Sequence, residues 1–264
     1  MMNKKLGLAV GTALLMMGAS QLAQAACSDI PRDSLLTAMG AAKAASTGGY
    51  GLDMWATVVD ETGKICQVAT TGTRGTAAGN NEWLGSRIIS AQKANTANAF
   101  SLNGYAISTA NLYTPVQPGN SLYGLQHSNP IDASRAYGGD PTNNGTWADF
   151  LKNKRIGGVN VFGGGLALYK NGVKVGAVGV SGDTSCRDHA FAWVIRSTLG
   201  MEPAGVGITT ANLLPGGGAP TTLPGTVGDE MIFGTGTQDS GYWSAWAHPG
   251  CPNTVTGVWS VAAP

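Results

Sequence analysis

Apolar and polar positions along this chain divide it into helix-period and strand-period stretches. Ile30 to Ala45 reads as a first helix, with Pro31 suited to its first turn and Gly48-Gly49 to its stop. Met54 to Val59 and Ile65 to Thr70 read as two strands, joined through Asp60-Glu61-Thr62-Gly63 as a hairpin. Ser86 to Ser101 reads as a second helix. Its small residues Ala91, Ala94 and Ala97 allow close approach to a sheet, and Ile89 and Phe100 add bulk. Three further strands are expected at Val159 to Phe162, Leu166 to Lys170 and Val173 to Val180, the last two joined by the hairpin signal Asn171-Gly172. Ser185-Cys186-Arg187-Asp188 resembles a capping box with Asp in place of Glu, and it opens a helix that runs to about Leu199 and stops at Gly200.

Two regions lack this regularity. Residues 103–155 are rich in Asn, Gly, Pro and Ser, interleaved with Tyr105, Tyr113, Tyr123 and Tyr137, and a stretch of that length points to a functional loop or an insertion. Residues 204–229 are Gly/Pro/Thr-rich and read as an extended surface segment. The tail after them carries Phe233, Trp243, Trp246 and Trp259, aromatics that argue for packing back on the domain. Hairpins dominate, so the sheet should be largely antiparallel and the class α+β. No internal repeat is present.

Residues 1–25 read as a secretory signal: Lys4 and Lys5, an apolar stretch from Leu6 to Met17, and Ala23-Gln24-Ala25 before the expected cleavage. A retained anchor is the alternative. Gln24 sits where a lipobox around Cys27 would need an aliphatic residue. The expected division is therefore residues 1–25 as signal, 26–200 as the domain, and 201–264 as segment and tail, with a periplasmic or secreted location. Lys4 and Lys5 are the only charges removed, so 16 basic and 15 acidic residues become 14 and 15, a net charge of −1. That balance gives no electrostatic reason to bind nucleic acid or an anionic membrane, and no membrane insertion is expected after cleavage. Hydrophobic residues make up 43% of the chain, which argues against disorder.

Cys27, Cys66, Cys186 and Cys251 all survive cleavage, and four cysteines in an oxidising compartment allow three disulfide pairings. The favoured one joins Cys186 to Cys251, a helix start to the returning tail, and Cys27 to Cys66, the N-terminus to a strand. The alternative is a reactive Cys186 thiol at a helix N-terminus. No zinc spacing and no CxxCH haem-attachment motif occurs.

Three stretches together resemble the GlcG/HbpS family. They are Thr57-Val58-Val59-Asp60-Glu61-Thr62-Gly63, the helix Ser90-Ala91-Gln92-Lys93-Ala94-Asn95-Thr96-Ala97, and Gly163-Gly164-Gly165-Leu166-Ala167-Leu168 followed by Gly176-Ala177-Val178-Gly179-Val180-Ser181-Gly182. The chain is similar to a longer, exported branch of that family, carrying Gln126-His127-Ser128-Asn129-Pro130, Cys186-Arg187-Asp188-His189 and His248-Pro249-Gly250-Cys251. The resemblance implies a profilin-like, five-stranded antiparallel sheet with helices on both faces, homo-oligomers, and binding of haem, another tetrapyrrole or iron. Haem breakdown is a further activity within the family.

Candidate ligands follow from that implication. Imidazole is the commonest side-chain ligand of haem iron, and the chain has three histidines. His127, in the long loop near Tyr123, is the first candidate for a haem or iron ligand, unless it only ties down its loop. His189, one helical turn before Trp193, is the second, and it suits a buried core position equally well. His248 suits packing beside a disulfide. Gly163, Gly164 and Gly165 could offer N–H groups to a haem propionate or form a tight corner between strands. Lys93 and Arg87 could pair with a propionate or be solvated helix charges. A hydrolase reading is weak, because Gly179-Val180-Ser181-Gly182-Asp183 lacks the last glycine of a nucleophile elbow. Three functions stay open: a haem, tetrapyrrole or iron carrier, scavenger or sensor accessory; a small-molecule or haem-degrading enzyme; and a structural oligomer.

Overall fold

The computed structural model describes residues 25–46, 48–73, 82–204, 228–233, 246–250 and 260–262. Residues 1–24 of the expected signal segment and most of 201–264, with Trp243, Trp259 and Cys251, lie outside them. Among the described residues no helix is long and apolar enough to cross a membrane.

The helices α1 (Ala25–Asp29) and α2 (Arg32–Ala45) lead into the hairpin β1 (Trp55–Asp60) and β2 (Ile65–Thr70). Helix α3 (Ser86–Phe100) follows, then a long connection holding the short helices α4 (Leu125–Ser128) and α5 (Ala133–Ala136). A second hairpin, β3 (Gly165–Lys170) and β4 (Val173–Ser181), leads into α6 (Ser185–Thr198). Short strands β5 (Met231–Phe233) and β6 (Ser260–Ala262) pair parallel to each other.

The main sheet is antiparallel throughout, in the order β2-β1-β4-β3. Among the described residues it has four strands, where five were expected. Val159–Phe162, read as a strand, joins no ladder because side chains take its amides: Asn160 N donates to Thr96 Oγ1 and Phe162 N to Asn160 Oδ1. Val159 and Val161 pack with Leu112 and Val116 instead.

Strand alternation gives the sheet two apolar faces. Ala56, Val58, Val178 and Val180 meet Leu35, Met39, Phe191 and Ile195 of α2 and α6. Val59 and Ala177 meet Ala91, Ala94 and Ala97 of α3. The small stripe on α3 lets helix and sheet touch backbone to backbone at Gly179, where an added Cβ would lie 2.0 Å from the Ser90 carbonyl oxygen. Thr57 and Ser90 hydroxyls close the same seam at 2.7 Å. This close approach carries Lys93 to the end of the sheet where β4 turns into α6.

That turn is capped one residue earlier than the sequence suggests. Thr184, not Ser185, accepts from the Arg187 amide. Asp188 is thereby released from the capping role: its Oδ1 accepts from Asp183 N at 2.9 Å and its Oδ2 faces α3.

Cys27 and Cys66 form the expected disulfide. Cys186 is disulfide-bonded as well; its expected partner Cys251 lies outside the described residues. Tail residues reach back to the domain: Asp229 pairs with Arg196 of α6 and Glu230 O accepts from Asn111 Nδ2, while His248 N donates to Ile232 O.

Candidate functional site

Where α3, the β4–α6 turn and the loop after α2 meet, they enclose a cleft of about 460 Å³. Its walls are Tyr50, Trp83, Leu84, Ile89 and Phe162, and its polar side is Lys93, Asp188, Asp183, Ser181, Thr184 and Ser185. Tyr50 and Trp83 meet edge to face at 5.6 Å. Leu84 is 81% exposed and Tyr50 54%, so apolar surface stands open to a ligand at the rim.

Two ion pairs build the polar side. Lys93 Nζ lies 2.7 Å from Asp188 Oδ2, and both side chains are buried. Burial pushes the Asp188 carboxyl up to about 6, against the opposing pull of the Lys93 ammonium. Asp183 behaves oppositely. Burial pushes it up, but amides of Tyr50, Thr184 and Leu52 and the Arg187 guanidinium together hold it below the ordinary carboxylate range. Asp183 thus fixes the loop that carries Tyr50, and an added Cβ at Gly49 (φ +60°) would strike its carboxylate at 2.3 Å.

The structure distributes the sequence candidates unevenly. Lys93 lines the cleft. Arg87 is neither in it nor solvated, since it forms a buried pair with Asp149, Nε to Oδ2 at 3.0 Å. The glycine run passes beside Lys93, and a Cβ at Gly164 (φ +119°) would lie 2.5 Å from the Val180 carbonyl and 3.2 Å from Lys93 Nζ. A Cβ at Gly163 would strike Met231, and Gly165 spends its N–H on Thr109 Oγ1 at 2.8 Å. The run therefore packs closely against its neighbours, with the Gly165 N–H already engaged. His127 sits exposed on α4 and Tyr123 is 63% exposed; neither lines the cleft. His189 is fully enclosed on α6, 6.0 Å from the Trp193 ring, with neither ring nitrogen partnered. It too stands apart from the lining.

Tyr50, Trp83, Leu84 and Phe162 are the site residues that sequence reasoning passed over, while Asp183 and Asp188 entered it only through a rejected hydrolase motif and a helix cap. The one signal for them was the bulky apolar pair Trp83-Leu84 directly before a helix start. Cys27, Asp60 and Cys66 also cluster, but the two sulfurs bond each other and leave no thiolate for a metal.

The family model described as "Haem degrading protein HbpS-like" matches residues 31–195. The chain belongs to the HbpS-like family. The match takes in Lys93, the glycine run, Asp188 and every lining residue of the cleft, and leaves out the tail. Two solved structures are similar. A PduOC:haem complex is 22% identical, with a TM-score of 0.42, over 63% of this chain and 89% of that one. The Klebsiella pneumoniae protein ORFY is 23% identical, with a TM-score of 0.41, over 76% and 97%. No curated protein matches the chain.

Proposed function

We propose that this HbpS-like chain is an exported protein that binds haem or a related tetrapyrrole in the cleft between α3 and α6. The observation that carries the reading is the cleft itself: apolar walls of Tyr50, Trp83, Leu84, Ile89 and Phe162 around one buried ammonium, all within the family match. Such a lining fits a flat apolar macrocycle with an acidic edge. Tyr50, Trp83 and Phe162 would hold the rings, and Lys93 a propionate. Tyr50 is the lining side chain of a type that ligates haem iron. Bound haem would supply iron redox chemistry; the chain's own residues bind it, orient it and exclude water from one face. Carrier or scavenger is the role this supports.

Titration of haem into the purified, oxidised protein at micromolar concentration, followed by absorbance, tests the reading. A saturable Soret shift is expected. Tyr50→Ala and Trp83→Ala should each weaken it about tenfold, the scale set by losing one aromatic contact. His127→Ala should leave it unchanged. Loss in His127→Ala alone would move the site to the long loop. The family's description favours haem degradation as the second reading. Soret loss under peroxide that Tyr50→Ala slows would support it.

A further inference from the structure

We infer that the cleft selects its ligand through a carboxylate delivered to Lys93, so that a flat apolar acid is held whether or not it carries iron. This rests on the cleft being the tetrapyrrole site and names what that site recognises.

Lys93 is the only cation among the described lining residues. Its ammonium has three donors. Asp188 Oδ2 takes one, at 2.7 Å, and no second acceptor is present among the described residues. Asp183, the other lining carboxylate, is already saturated by the amides of Tyr50, Leu52 and Thr184 and by Arg187, so it does not compete for Lys93. Thr184 and Ser185 bring the start of the 14-residue helix α6 to the same wall, which adds the partial positive charge of a helix N-terminus. A ligand carboxylate therefore meets one cation with spare donors, at the end of a slot walled by rings and aliphatic side chains. Its rival there is Asp188. Among the described lining residues Tyr50 alone is of a type that ligates haem iron, so the walls grip the rings and the acid edge more than the metal.

Metal-free protoporphyrin IX and its dimethyl ester, compared with haem at neutral pH, separate these contributions. Binding is read by porphyrin fluorescence and by quenching of tryptophan. The acid should bind within about tenfold of haem, and about tenfold or more tighter than the diester. Asp188→Asn keeps an acceptor for the Asp183 amide but removes the rival charge, and it should raise acid affinity about tenfold without changing the ester. Lys93→Met alone leaves a buried carboxylate unpaired and can fail to fold. The double variant Lys93→Met/Asp188→Asn removes both charges together and should fold, binding acid and ester equally. Equal affinity of the wild-type protein for acid and ester would overturn carboxylate selection while leaving a haem-binding cleft intact. Binding of haem but not of the metal-free acid would overturn it in favour of iron ligation. Failure of haem and both porphyrins to bind would overturn the inference together with the function it rests on.

Discussion

Replacing Arg196 by methionine should cost about 3–5 kcal/mol of stability, the scale for stripping one partner from a buried ion pair. Arg196 and Asp229 are both fully buried and meet through two bonds, Nη1 to Oδ2 at 2.6 Å and Nη2 to Oδ1 at 2.8 Å. The guanidinium also lies 4.7 Å over the Trp193 ring and reaches the Ala167 carbonyl at 3.3 Å. The pair ties residues 228–233 to α6 and β3. Through Met231, packed against Gly163, it also backs the glycine run that passes Lys93. Urea unfolding of Arg196→Met, Asp229→Leu and the double variant measures it. The double should recover much of the loss, because it leaves no unpaired charge behind. A double variant as unstable as the sum of the singles would show that packing, not charge pairing, holds the tail.

The second large effect is a loss of stability in mild acid. Burial drives the His189 imidazole down to about 3, and Arg196, His248 and Lys93 push the same way. Burial drives His248 down to about 4, opposed by the bond it donates to the Pro249 carbonyl. A histidine whose folded pKa is depressed binds its proton in the unfolded chain first, so stability falls as pH drops below about 6.5. Asp188, raised to about 6, works the other way, taking up a proton in the folded state before the unfolded one does. Between about pH 6 and 4.5 the unfolded chain thus holds close to two protons on the histidines that the folded protein lacks, and the folded protein up to one on Asp188 that the unfolded chain lacks. The net difference of one proton costs about 1.4 kcal/mol per pH unit, or about 2 kcal/mol across the window. His189→Phe keeps a ring beside Trp193 and removes both unpartnered nitrogens. Its stability should be flat over that window and undiminished at neutral pH. An unchanged acid slope in His189→Phe, measured by denaturant unfolding at each pH, would contradict the assignment.

Local signals were readable and distant ones were not. The two hairpins follow from Asp60 to Gly63 and from Asn171-Gly172, where Asn171 and Gly172 both take the positive φ that such a turn requires. The helix α3 and its small stripe follow from Ala91, Ala94 and Ala97. Val159 to Phe162 has the alternation of a strand, but alternation does not say where the amides go, and here they go to side chains. Lys93 could be named as a ligand group from its place on the helix. Its partner Asp188 is 95 residues away and looked like part of a helix cap. Tyr50 and Trp83 sit in loops without periodicity, and only folding brings them edge to face. His189 could be read as ligand or core from its helical position, and its complete enclosure is a property of the fold.

The central claim is that the α3–α6 cleft is the tetrapyrrole site, and filling it is the most direct test. Ile89 is half-buried on the cleft wall, and Ile89→Trp would occupy the space while keeping both members of the Lys93–Asp188 pair. Haem titration of this variant, with thermal unfolding as the control for folding, should show no saturable Soret shift in a protein that melts as the wild type does. A saturable shift of wild-type affinity in the folded variant would contradict the account and place the ligand elsewhere on the chain.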